Sequence, residues 1–87
     1  MTRDDTLARV RRTIAFAHGM EDGEWTDSDY DETYNVIDDL GFSSLEFVDF
    51  ILALEKAFAI EISDEDADEV VEMTIGEIVD WLMEVVK

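Results

Sequence analysis

The 87-residue chain has no cysteine, no proline, one histidine and only six basic residues. Without cysteine there is no disulfide, no thiolate metal site and no thiol chemistry native to the chain. Without proline, helix ends must be set by glycine and by capping side chains. Six Lys and Arg against 24 Asp and Glu leave a formal charge of -18. That excludes nucleic acid as a partner, because phosphate backbones are bound by Lys and Arg. A basic surface on another protein is the natural complement. A nucleophilic serine needs a positioned base, and His18 has no evident partner, so no enzyme is expected. No apolar run approaches the ~20 residues of a membrane span, so no membrane insertion is expected. Arg3, Arg9, Arg11 and Arg12 crowd the start, but Asp4 and Asp5 do not suit a transit peptide. The protein is expected to be cytoplasmic, to begin at Met1 and to be a monomer.

What is present describes a helical protein. The length predicts one domain over residues 1–87, and 47% apolar residues are enough for a small core. Leu7, Val10, Ile14 and Phe16-Ala17 recur at helical spacing and predict a first helix over Asp4–His18. An acidic connection from Met20 to Leu40 follows, longer than the 12 to 15 residues beyond which loops are usually functional or mobile. Trp25, Tyr30 and Tyr34 are expected to tether it over the bundle, and Val36, Ile37 and Leu40 to pin its far end. Ser43-x-x-Glu46 is a capping box opening a second helix at Ser44, with Phe47, Phe50, Ile51, Leu54 and Phe58 as its core stripe. Ser63 and Asp66 announce a short third helix over Asp64–Val70, with Ala67, Val70 and Val71 inward. Thr74-x-x-Glu77 is another capping box. It opens a fourth helix with Ile75, Ile78, Val79, Leu82 and Val86 inward and Lys87 at its negative end. The fold class is all-α: a four-helix bundle of three main helices and one short third helix, with a long loop between helices one and two.

Four features are candidates for chemistry. Ser44 stands in the first turn of helix two, where free N–H groups and the positive dipole end suit a phosphate on its hydroxyl. Ser43 and Ser44 also suit plain capping. Asp27, Asp29, Asp31 and Asp38 echo calcium-loop spacing, but the sharp turn that needs glycine falls on Glu32, so no metal is expected. His18 suits the negative end of helix one, without a catalytic role. Leu45, Val48 and Leu52 form a second apolar stripe beside Glu46, Asp49 and Glu55, a mixture typical of small recognition faces.

The run Asp39-Leu40-Gly41-Phe42-Ser43-Ser44-Leu45-Glu46, followed by Val48, Leu54-Glu55 and Phe58, resembles the signature of the acyl carrier proteins. The likeness continues through Ile60-Glu61-Ile62-Ser63-Asp64-Glu65 to the helix opened by Thr74. This resemblance implies that a phosphopantetheinyl transferase attaches 4'-phosphopantetheine from coenzyme A to Ser44. The arm's thiol then holds acyl groups as thioesters, which answers the missing cysteine. It implies a carrier rather than an enzyme, presenting cargo to acyl-processing enzymes with basic docking patches. The implied docking positions are Ser43, Leu45, Glu46, Asp49, Leu52 and Glu55.

The chain departs from the family pattern in three places. Ser43 replaces the aspartate usual before the modified serine, removing a charge that bears on transferase choice. The connection before the motif is several residues longer than usual. Phe42 and Phe50 are bulkier than is common, and Phe47, Phe50 and Phe58 are expected to fill space that a long acyl chain would otherwise take. The pathway is expected to be fatty acid synthesis or a specialised acyl, polyketide or peptide system. The competing reading is an unmodified acidic module that binds basic partners and carries no cargo.

Overall fold

In the computed structural model, residues 2–86 are described. They form α1 (Arg3–Ala17), a 3-10 turn (Asp27–Tyr30), α2 (Ser44–Phe58), α3 (Asp64–Val70) and α4 (Ile75–Val85). The expected all-α bundle is the fold, with one short third helix and a long connection between α1 and α2. Among the described residues the only β feature is an isolated bridge between Asn35 and Thr74. No helix among them is long and apolar enough to cross a membrane.

Each helix begins where a side chain satisfies the orphan amides of its first turn. Thr2, Ser43, Ser63 and Thr74 accept from the amides of Asp5, Glu46, Asp66 and Glu77. The boxes at Ser43–Glu46 and Thr74–Glu77 are reciprocal. At Ser63 no return bond from Asp66 is formed. Thr2 moves the start of α1 one residue earlier than expected, and His18 becomes its C-cap. The terminal Lys87, expected at the negative end of α4, lies outside the described residues.

The core is where α1 packs on α2 and α4. Val10 and Ile14 of α1, Phe50 and Leu54 of α2, Val70 of α3, and Ile75, Ile78, Val79 and Leu82 of α4 are fully buried. Phe47, Ala67, Val71 and Val86, expected inward, are half-buried. Phe16 is a clear correction: it is 73% exposed. Nine positions after Leu7, at about 100° per residue, it stands half a turn round α1 from that core residue.

The long connection is ordered in two different ways. Its first part is held by rings. Tyr30 is buried, with Trp25 against it at 5.4 Å and its backbone carbonyl accepting from Arg11 Nε at 2.9 Å. Tyr34 does not tether by its side chain, which is exposed; its carbonyl instead accepts from the Ile75 amide at 2.8 Å. The second part is zipped by backbone bonds onto the start of α4. The Gly76 amide donates to the Glu32 carbonyl at 2.9 Å, and a Cβ at Gly76 would meet Glu32 atoms at 3.1 to 3.3 Å. A side chain at Gly76 would require Glu32 to give by a few tenths of an ångström.

Candidate functional site

The site is a corner of backbone whose position is set from three sides. Asn35 is its organiser. The Asn35 amide group donates to the Val71 and Met73 carbonyls at 2.9 and 3.0 Å. Its side-chain oxygen accepts from the amides of Ile37 and Asp38 at 2.8 and 2.9 Å, and its own backbone amide donates to Asp39 at 2.7 Å. One side chain thus ties the approach to α2 to the junction of α3 and α4. Such side-chain turns are what asparagine makes well. Sequence reasoning missed this residue; an asparagine followed by Asp38-Asp39 in a polar loop was a weak signal for it.

After that turn, Val36 and Phe42 dive into the core and Gly41 lies between them with φ +71°, a left-handed conformation that favours glycine. Phe42 meets Phe50 edge-on at 6.2 Å and the His18 ring at 5.2 Å. His18 Nδ1 is also 3.3 Å from the Tyr30 hydroxyl. The end of α1 is therefore part of the corner's footing, and His18, the C-cap of α1, is a half-buried structural contact.

The two adjacent serines part company here. Ser43 Oγ accepts from the Glu46 amide at 3.2 Å, and the Ser43 amide donates to Glu46 Oε1 at 3.0 Å. These bonds hold the Glu46 carboxyl below its ordinary value, the backbone bond from Ser43 being the main cause. Ser44 is exposed, and its hydroxyl makes no hydrogen bond among the described residues. Capping is thus done by Ser43 alone. An anionic ester on Ser44 Oγ would face solvent beside the positive end of a 15-residue helix.

From this corner α2 presents its second stripe outward. Leu45, Val48 and Leu52 are 71%, 51% and 57% exposed. The three carboxylates beside them differ. Glu46 is engaged in the cap, and Glu55 Oε2 accepts from the Ile62 amide at 2.8 Å, fixing the connector to α3. Asp49 is exposed and makes no hydrogen bond or ion pair among the described residues. Beside Leu52 a cleft of about 310 Å³ runs between α2 and α3, lined by Phe47, Val48, Ile51, Ile62 and Ala67 and by the carboxylates Glu55 and Asp64.

The calcium-like aspartates are arranged otherwise. Asp29 returns a bond to the Thr26 amide at 2.9 Å and Asp31 accepts from Thr33 at 2.7 and 2.9 Å. Among the described residues no three His, Asp or Glu side chains gather as a metal site.

Comparison with known proteins points one way. A family model described as a phosphopantetheine attachment site matches residues 24–82. Acyl carrier protein 2 of Pseudomonas aeruginosa is 37% identical over 84 residues, covering 95% of this chain and 96% of that relative. An acyl carrier protein of Syntrophobacter fumaroxidans is 50% identical over 48 residues, covering 55% of this chain and 57% of that relative. The second match therefore spans little more than half the length of either protein.

Proposed function

The chain belongs to the acyl carrier proteins, which are carriers rather than enzymes and bear phosphopantetheine, and from that premise we propose that Ser44 is the residue carrying the arm. The observation that carries this reading is the division of labour between the serines. Ser43 spends its hydroxyl on the helix, which leaves the Ser44 hydroxyl exposed and uncommitted among the described residues. The residues present fit the group: a phosphodiester on Ser44 needs no buried side chain to move and meets the unbonded amides of the first turn. When bound, the arm supplies the thiol that this cysteine-free chain lacks. The chain's own residues hold and present it. Phe42, Gly41 and the Asn35 turn fix where Ser44 sits, and the capping box fixes the direction in which α2 leaves.

Leu45, Asp49 and Leu52 form the face read by the transferase and by acyl-processing enzymes, with Ser43, Glu46 and Glu55 at its edges. Basic patches on those enzymes would be steered by the charge of -18 into fast, reversible encounters. Intact mass after incubation with coenzyme A and a broad-specificity phosphopantetheinyl transferase tests the assignment. Wild type and Ser43→Ala are expected to gain one phosphopantetheinyl adduct and Ser44→Ala none. An adduct on Ser44→Ala, or none on wild type, would sink it and favour the unmodified acidic module.

The same reading extends to cargo. The interior beside α2 is filled by the linked rings of Phe42, Phe50 and Phe47, 6.2 and 6.4 Å apart. The cleft between α2 and α3 is at the small end of small-molecule sites. Both favour short acyl groups in a specialised pathway over long fatty acyl chains. NMR of forms loaded with acyl groups of increasing length is expected to show core shifts that stop growing early; shifts that climb steadily with length would defeat the idea.

A further inference from the structure

Phe16 has no role in the site above, yet it is the most exposed large apolar residue among the described residues. It does not stand alone. It borders an open groove of about 1020 Å³ on the seam between α1 and α2, lined by Ala17, Leu52, Ala53 and Ala57 and by Glu55, whose carboxylate is engaged by the Ile62 amide. Asp49 lies toward the Ser44 end of this seam and Lys56 toward the other. A smaller depression continues past Phe16 to Thr13, Arg9 and Arg12. The two helices run antiparallel, so Arg12 falls at the same end as Lys56. Arg9 is committed to the fold, donating to the Ala57 carbonyl and lying 4.4 Å over the Phe58 ring. Asp49, Lys56 and Arg12 are exposed and take part in no ion pair among the described residues.

The seam therefore has an apolar floor, the unpaired Asp49 at one end and the unpaired cations Lys56 and Arg12 at the other, where the neighbouring Glu55 is engaged by the Ile62 amide. We propose that it is a second docking surface, occupied by an amphipathic helix of a partner enzyme whose apolar face covers Phe16, Leu52 and Ala53. The occupant is basic opposite Asp49 and acidic opposite Lys56 and Arg12. A second copy of this chain is disfavoured, since it would bring another formal charge of -18 against the first. The inference rests on the carrier reading: the occupant belongs to an enzyme that works on cargo at Ser44, and the shared Leu52 and Asp49 make the seam continuous with the face described above.

The test is an NMR titration of the isotope-labelled full chain with a designed helical peptide of zero net charge, having a leucine face, lysines at one end and glutamates at the other. Zero net charge keeps general attraction to the acidic surface out of the result. Shifts are expected at Phe16, Ala17, Leu52, Ala53 and Ala57. Phe16→Ser is expected to weaken binding about tenfold, in the range of an exposed aromatic anchor. Asp49→Lys and Lys56→Glu should each weaken it several-fold, and the double swap should recover it, because the peptide then lies the other way round. Absence of binding, shifts confined to Leu45 and Val48, a double swap that fails to recover, or self-association lost in Phe16→Ser would each overturn the proposal. Adduct formation at Ser44 is read on wild type and Phe16→Ser in parallel and is expected to be equal in both. A wild type that takes no adduct defeats the carrier reading, whereas a fully loaded protein whose seam ignores the peptide defeats this inference alone.

Discussion

On the inward face of α2, Phe50, Ile51, Leu54 and Phe58 are buried in the core that α2 shares with α1, while on its outward face Leu45, Val48 and Leu52 stand more than half exposed. The residue types are nearly the same; the destinations are opposite. Burial of the first set is what lets a chain of this size fold at all, since small domains are stable by only about 5–15 kcal/mol. Exposure of the second set costs stability nothing that the first has not already covered, and it leaves an apolar stripe for a partner to close. The lesson is that one helix has a side that builds the core and a side that, on the function proposed above, is left for recognition, with Ser44 at the end where they meet.

The sharpest way to break that comparison is to truncate one leucine from each face. Leu54→Ala is expected to lose about 3–5 kcal/mol in urea denaturation, the range for a fully buried leucine. Leu52→Ala should stay within about 0.5 kcal/mol, as exposed substitutions do, while slowing adduct formation at Ser44. Equal stability losses would erase the distinction between the faces. A middle-sized effect belongs to the corner that joins them. Asn35→Ala removes partners from the carbonyls of Val71 and Met73 and the amides of Ile37 and Asp38. It is expected to cost about 1–3 kcal/mol and to slow transferase modification, because Ser44 loses its fixed approach. Ser43→Ala, which removes only a cap, should cost about 1 kcal/mol.

The smallest effect is one of pH. Glu46 has its carboxyl lowered in the folded state by the Ser43 amide. A lowered value means that its contribution is complete above the ordinary glutamate value of about 4.3 and is lost as pH falls through the folded value. The first turn of α2 should therefore fray only in acid. Glu46→Gln keeps an acceptor without the titration, so amide exchange at residues 44–47 should lose its acid limb in that variant. A limb of the same size in both would remove Glu46 from the account.

Much of this was legible in the chain itself. Capping boxes at Ser43 and Thr74, the apolar stripe of α2 and the bounds of α3 are matters of a few neighbouring residues, and local physics settles them. Phe16 was legible too, by counting degrees from Leu7, but its size and its neighbour Ala17 drew it into the core stripe. Asn35 was not legible, because its partners Val71 and Met73 lie far along the chain and a loop asparagine does not announce which carbonyls it will meet. The same holds for His18, whose contact with Phe42 exists only because α1 ends beside the corner.

By itself, then, the sequence determined an acidic all-helical protein with a serine pair opening its second helix and a signature of the carrier family around it. Its capping box already favoured Ser43 as the cap, but it left both stripes of α2 able to pack. That choice fell to the tertiary structure. α1 packs on only one side of α2, so the other stripe faces water. A helix start needs its cap from the residue before its first turn, and the geometry of Gly41 and Phe42 puts Ser43 in that place and turns Ser44 outward.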